Sequence, residues 1–222
     1  MNRKKIFIAV LNQNSMRVEL AAILNEINKQ GKYDLIIEYP SEKPISNNRN
    51  KIVQSFLQSD CDYLLMIDND IVPPLDIINL ADFQKDVISP VCFMYQKHLI
   101  VPLILRRAKD GQYSPLDYKG HEGLVEVDAV GTGCIFISRR VLEKIRAPFL
   151  NEYDLDGIKK IGLDLAFCRK AKAEGFKIFC HLDYVCEHWV TMDLKNIYVS
   201  LEKYVSEIKK LKMSLDSRDQ LP

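Results

Sequence analysis

The sequence predicts an α/β domain built on a mostly parallel sheet with helices on both faces, and three observations carry that expectation. Residues 6–11 and 63–67 are apolar throughout, the pattern of strands buried on both faces rather than the alternation of a half-exposed strand. Between these runs lie segments with apolar residues at helical spacing, and such alternation of strand and helix joins parallel neighbours through crossover helices. The chain is also long enough for one sizeable core: 222 residues, 47% hydrophobic and 27% charged, describe a single globular domain. At that length folding buries roughly 70–75% of the surface the unfolded chain exposes, so a bound metal would signal chemistry rather than structural need.

The elements follow in order. After the first strand at 6–11, Val18, Ala21, Ile23, Leu24 and Ile27 mark a helix that Gly31 stops. Residues 33–39 read as a second strand, and Ser46 or Asn47 caps a helix whose apolar face is Ile52, Val53, Phe56 and Leu57. The strand at 63–67 comes next. Pro73-Pro74 opens a helix carrying Leu75, Ile77, Ile78, Leu80 and Ala81, and residues 86–89 form a short strand. From Pro90 to about Val127 the helical period is lost, and strand-like pieces at 99–105 are broken by Lys109-Asp110-Gly111, as in an irregular, partly antiparallel insertion. Order returns with a strand at 130–137, a helix at 138–145, a helix from about Asp164 to Glu174 ended by Gly175, and a last strand at 176–180. Beyond His188-Trp189, the residues Leu194, Ile197, Leu201, Tyr204, Val205, Ile208 and Leu211 describe an amphipathic helix of about five turns that packs on the body or on a partner. Residues 1–192 are therefore expected as one domain, with 193–222 as a C-terminal helix and tail.

Charge and cysteine usage narrow the function classes. With 31 basic against 30 acidic residues the net charge is +1, which removes the bulk electrostatic case for nucleic acid or an anionic membrane and leaves only a local groove. No apolar run is long enough to span a bilayer. The basic start, Met1 to Lys5, leads into residues that reach Asn12 and Asn14, and reads as a first strand rather than a secretion signal. The six cysteines, Cys61, Cys92, Cys134, Cys168, Cys180 and Cys186, form no CxxC pair, so zinc is not expected. Their apolar neighbours suit reduced, buried thiols in a cytoplasmic protein.

The chemistry concentrates at Asp68-Asn69-Asp70. Two acids stand at the carboxyl end of a buried strand, the end where open α/β sheets bind ligands. Carboxylates this close repel in a low-dielectric crevice, and a hard divalent cation such as Mg²⁺ or Mn²⁺ relieves them. The same letters, D-x-D-x-V, also resemble the nucleophile motif of haloacid-dehalogenase-type phosphatases, with Asp68 as nucleophile and Ser89 in the second motif. Those enzymes carry the motif on the first strand and follow it with a glycine-containing turn; here two strands precede it and Pro73-Pro74 follows.

Taken together, four segments resemble the GT-A nucleotide-sugar glycosyltransferases, especially the inverting, family-2-like members. Asn48-Arg49-Asn50-Lys51 resembles their R-N helix start facing the donor nucleotide, and Leu65 to Asp70 their metal-binding DxD strand end. Val130-Gly131-Thr132-Gly133-Cys134 resembles the glycine-containing strand beside the acceptor pocket, and Gly162-Leu163-Asp164-Leu165 the E-D helix start. The resemblance implies a GT-A fold, with residues 1–90 as the nucleotide-binding half and 91–192 as the acceptor half. It implies a metal-dependent transfer from a nucleoside-diphosphate sugar, a UDP-sugar first, to an acceptor hydroxyl by single displacement. Arg49, Asp68 and Asp70 would hold the donor, with Asp68, Asp70 and His188 on Mn²⁺ or Mg²⁺. Asp164 would be the general base, and Gly131, Gly133 and Trp189 would face the acceptor or sugar.

Each residue also has a plainer reading. Arg49 as a surface arginine, Asp164 as a helix N-cap, His188 as a packed imidazole, Trp189 as a buried ring and Gly131 and Gly133 as structural glycines all fit the same letters. His98, His121 and His181 carry no context that assigns them. The chain departs from the family at Leu163, where a Glu usually stands, and at the end of the first strand, which lacks the P-x-Y/F-N pattern. The departure at Leu163 keeps open a non-catalytic domain that binds a nucleotide or glycan, and the one at the first strand bears on base recognition. A sugar-nucleotide pyrophosphorylase would carry a G-x-G-x-R loop after the first strand, and none follows Leu11. The acceptor is not identified by any motif, and the C-terminal helix offers a route to a homo-oligomer.

Overall fold

The computed structural model describes residues 3–12, 15–96 and 99–216, so Gln13, Asn14 and His98 lie outside the described residues. The first half runs β1 (Lys5–Leu11), α1 (Val18–Gln30), β2 (Asp34–Glu38), α2 (Ile45–Gln58), β3 (Tyr63–Asp68), β4 (Ile71–Val72), a 3-10 segment (Ile77–Phe83) and β5 (Val87–Val91). The insertion contains β6 (Phe93–Gln96), β7 (Leu99–Pro102), β8 (Ile104–Arg107), β9 (Tyr113–Pro115), β10 (Leu124–Val127) and β11 (Ala129–Val130). There follow β12 (Cys134–Ser138), α3 (Arg139–Lys144), β13 (Glu152–Tyr153), β14 (Lys159–Ile161), α4 (Leu163–Ala173), β15 (Ile178–Val185), β16 (Glu187–His188) and α5 (Leu194–Asp216).

A seven-stranded sheet in the order β10-β15-β5-β12-β3-β1-β2 forms the centre. Strands β2, β1, β3, β5 and β15 run one way, while β12 and β10 run against them. Strand alternation divides the core. Ile6, Ile8 and Val10 of β1 join Leu20, Leu24 and Ile27 of α1 on one face. Phe7, Ala9 and Leu11 join Ile52, Val53 and Phe56 of α2 on the other. That double coverage is why β1 and β3 are apolar at successive positions. Each such side chain withdrawn from water contributes about 1.5–3 kcal/mol, enough to fix the strand register against slippage.

The described residues fall into two compact units, residues 1–93 with 102–189 and residues 94–101 with the chain from 190 onward. All six cysteines are buried and form no disulfide. No helix among the described residues is long and apolar enough to cross a membrane. Smaller antiparallel pairings lie beside the sheet, β8 with β9 and β11, β13 with β14, and β16 with β4.

The strand expected at 130–137 is divided at Gly131–Gly133 into β11 and β12, which belong to different sheets, and local starts and stops differ from expectation at three further places. Helix α2 begins after Pro44, so Ser46 and Asn47 lie inside the first turn and neither caps it. The segment after Pro73-Pro74 is a 3-10 helix set back to Ile77; its three-residue repeat sets Ile77 above Leu80 and Ile78 above Ala81 on the core. Helix α4 takes Gly162 as its N-cap, which leaves Asp164 in the first turn and removes its N-cap role. Gly31 does stop α1, in the left-handed conformation at φ 60° that a residue without Cβ adopts freely.

Candidate active site

The carboxyl end of β3 is the centre of the site. Register pairing sets Asp68 beside Leu11 at the end of β1, and the Asp68 amide donates to the Gly133 carbonyl at 2.7 Å, so three strands converge there. Arg49 reaches this point from α2, buried rather than on the surface. Its Nη2 donates to both Asp68 oxygens, at 2.9 and 3.1 Å, and its Nη1 to the Thr132 carbonyl at 2.8 Å. The Thr132 hydroxyl in turn donates to Asp164 Oδ1. One hydrogen-bonded chain therefore runs from Asp68 through Arg49 and Thr132 to Asp164, joining the first half of the fold to the second.

Burial pushes the Asp68 carboxyl up to about 6, with the Asp164 and Asp70 charges adding to the rise and the Arg49 guanidinium opposing it. Asp70 has a different environment. It is half-exposed, and His188 Nε2 lies 3.5 Å from its Oδ2. Pairing of β16 with β4 sets His188 opposite Ile71, immediately after Asp70. His188 Nδ1 is 2.6 Å from the Phe93 carbonyl, an acceptor only, so Nδ1 carries the proton and Nε2 faces Asp70. The hydrogen bond with Asp70 raises the His188 ring above its usual range, with burial working against it.

Trp189 is not buried: it is 45% exposed. Its amide donates to the Asp70 carbonyl at 2.9 Å, its indole N–H to Glu187 at 2.9 Å, and the Arg17 guanidinium lies 4.1 Å from its ring centroid. The two glycines divide in role. A Cβ on Gly131 would meet Leu103 Cδ1 at 2.7 Å, a packing constraint. At Gly133 it would meet Ile71 Cγ1 at 3.3 Å and Asp68 Oδ2 at 3.4 Å, so that glycine clears space beside the carboxylate. Leu163 is half-buried against the core and offers no ligand atom. His181 packs between Phe83 and Tyr184, with ring centroids at 4.6 and 4.8 Å.

Two features carry no motif in the sequence. Thr132 sits between the glycines and links Arg49 to Asp164, through a carbonyl and a hydroxyl that any threonine has. Asn12 and Asn48 hold buried side-chain oxygens with no partner among the described residues. The Asn48 amide is oriented by its Nδ2, which donates to the Pro40 carbonyl at 3.1 Å, so the unpartnered atom is an acceptor.

Among the described residues no three His, Cys, Asp or Glu side chains close into a metal cage. Asp70 and His188 instead offer one carboxylate and one imidazole nitrogen on an open edge, with Asp68 two residues away. That donor set fits a hard divalent cation of the kind held by one or two carboxylates and completed by substrate phosphates. The Nδ1 contact to Phe93 fixes the ring with Nε2 toward Asp70, as an outer partner would for an imidazole that binds a metal.

The sheet order and the reversed β12 define an α/β fold of the GT-A type. The chain matches A197 from STIV with a TM-score of 0.55 and 19% identity, over 85% of this chain and 86% of that one. It matches GalNAc-T7, solved with UDP, GalNAc and Mn²⁺, with a TM-score of 0.50 and 12% identity over 90% of this chain, but spans only 48% of that one. At such identities the likeness is one of fold. No protein-family model and no curated protein matches the chain.

Proposed function

We propose that the chain is a metal-dependent glycosyltransferase that moves a sugar from a UDP-sugar to an acceptor hydroxyl with inversion. The observation that carries this reading is the bonded chain from Asp68 to Asp164, with Asp70 and His188 on the open edge beside it. Asp70 and His188 would hold the cation, with Asp68 alongside, and a cation held there would supply positive charge to the departing diphosphate. Asp164 takes the proton of the attacking hydroxyl. The Thr132 hydroxyl occupies Oδ1 and orients the carboxylate, which leaves Oδ2 for that proton. One displacement at the anomeric carbon then inverts it. Against the phosphatase reading stands the Arg49 guanidinium on both Asp68 oxygens, which draws charge from a carboxylate that would have to act as nucleophile. The six buried thiols support a reducing compartment such as the cytoplasm.

Calorimetric titration of UDP with Mn²⁺, with Mg²⁺ and with chelator, repeated on Asp70→Ala, tests the donor site. Binding is expected to require the cation and to be lost in Asp70→Ala. Binding that persists in chelator would overturn the metal role.

The unpartnered oxygens of Asn12 and Asn48 support uracil as the base. A buried acceptor left unpaired costs about 1–3 kcal/mol, and the ring N3–H of uracil would satisfy one at a position where cytosine presents an acceptor and keeps its donor on the 4-amino group. UDP is therefore expected to bind about 10-fold or more tightly than CDP, and Asn48→Ala to erase most of that difference. Equal affinities in the unaltered protein would remove uridine recognition from the proposal.

A further inference from the structure

The helix of the second compact unit carries a pattern that a solvated surface does not explain. Along α5, Leu194, Ile197, Leu201, Tyr204, Ile208, Leu211 and Leu215 succeed one another at alternating spacings of three and four, an unbroken heptad register. A helix repeating every 3.5 residues keeps its apolar seam aligned only against another helix of the same repeat, in a left-handed supercoil. From Leu194 to Tyr204 the seam is open: Leu194, Leu201 and Tyr204 are exposed by 81%, 58% and 54%. Strand β7 of this unit adds Leu99 and Ile100, also exposed. With Ile197, Leu201 and Tyr204 they line an apolar groove of about 530 Å³.

We propose that α5 pairs with α5 of a second copy of this chain as a parallel, in-register coiled coil, the seam residues of each copy entering the groove of the other. The charges fit that partner and that direction. With Leu194 at position a, Glu207 falls at g and Lys212 at e, five residues later, where the two face each other across a parallel pair. An antiparallel pair brings g to g and e to e, where Glu207 and Lys212 meet no opposite charge. The remaining e positions, Tyr198 and Val205, are exposed by 61% and 48% and widen the apolar face. The copies then form a closed two-fold dimer, with the same patch on both.

Light scattering on the full chain at high micromolar concentration tests the proposal, and twice the mass of one chain is expected. Leu201→Glu, which sets like charges facing at position a, is expected to give the mass of one chain with an unchanged circular-dichroism spectrum. Ile208→Cys under oxidised glutathione is expected to yield a covalent dimer. In the fully overlapped antiparallel pairing of Leu194–Asp216 the two copies of residue 208 lie about 9 Å apart along the axis, beyond disulfide reach. A single-chain mass for the unaltered protein overturns the proposal, as does a dimer that survives Leu201→Glu. Flotation of a single-chain species with phosphatidylserine-containing vesicles overturns it in favour of a membrane surface.

Discussion

Asp164→Asn is expected to lower sugar transfer by about 10²–10⁴-fold while leaving cation-dependent UDP binding unchanged. The substitution preserves what the structure needs. Asparagine keeps an oxygen for the Thr132 hydroxyl, so the link from Thr132 to the first turn of α4 survives, and Gly162 rather than Asp164 begins that helix. It removes only the ability to take a proton. Turnover measured with UDP-sugar and acceptor, or as donor hydrolysis by water, reads the base, while calorimetry on the same variant reads the donor site. A variant as active as the unaltered protein would take the base role from Asp164. The experiment also bears on Leu163, where the resembling enzymes carry a second acid: Leu163 packs on the core and cannot share the proton, so the work falls on one carboxylate. An unaltered protein that binds UDP with the cation yet turns over no donor would mark a binding domain.

Much of this site was legible in the sequence, for a physical reason. A strand covered on both faces must be apolar at every position, so the acids that end β3 stand out against Tyr63 to Ile67, and the sheet's ligand-binding end follows from that strand's direction. Arg49 and Thr132 were less legible. Arg49 looks like any arginine on an amphipathic helix until α2 packs and carries it to Asp68, nineteen residues on. Thr132 acts through atoms that no pattern of residue types reveals. The helix starts went astray because several residues near each start can cap a helix; the backbone chose Pro44 and Gly162, neither of which bonds through a side chain. The resemblance to GT-A enzymes supplied Asp164, and the structure sets it on Thr132 instead of at the helix cap.

Asp68 and Asp70 are expected to behave differently when removed, although the motif treats them alike. Asp68 and Arg49 form an ion pair in which the guanidinium is 3% exposed and the carboxylate 25%, and Arg49 Nε already lacks a partner among the described residues. Removing Asp68 strands the buried guanidinium, and Arg49→Ala strands the carboxylate. Each is expected to cost about 3–5 kcal/mol, the penalty of an uncompensated buried charge rather than the net worth of the pair. For a chain of this size that is a fall in Tm of about 10 °C. Asp68→Ala with Arg49→Met removes both charges and is expected to recover part of the loss, a coupling that a double-mutant cycle in thermal or denaturant unfolding measures. Asp70 is 46% exposed and stands 3.5 Å from a histidine that also bonds Phe93, so Asp70→Ala is expected to shift stability by no more than about 0.5 kcal/mol while abolishing cation-dependent UDP binding. Equal destabilisation by Asp68→Ala and Asp70→Ala would refute this division. The first acid of the motif then ties α2 and the Thr132 turn to the sheet, a rigidity that would hold the second acid and Asp164 in place for the proposed transfer.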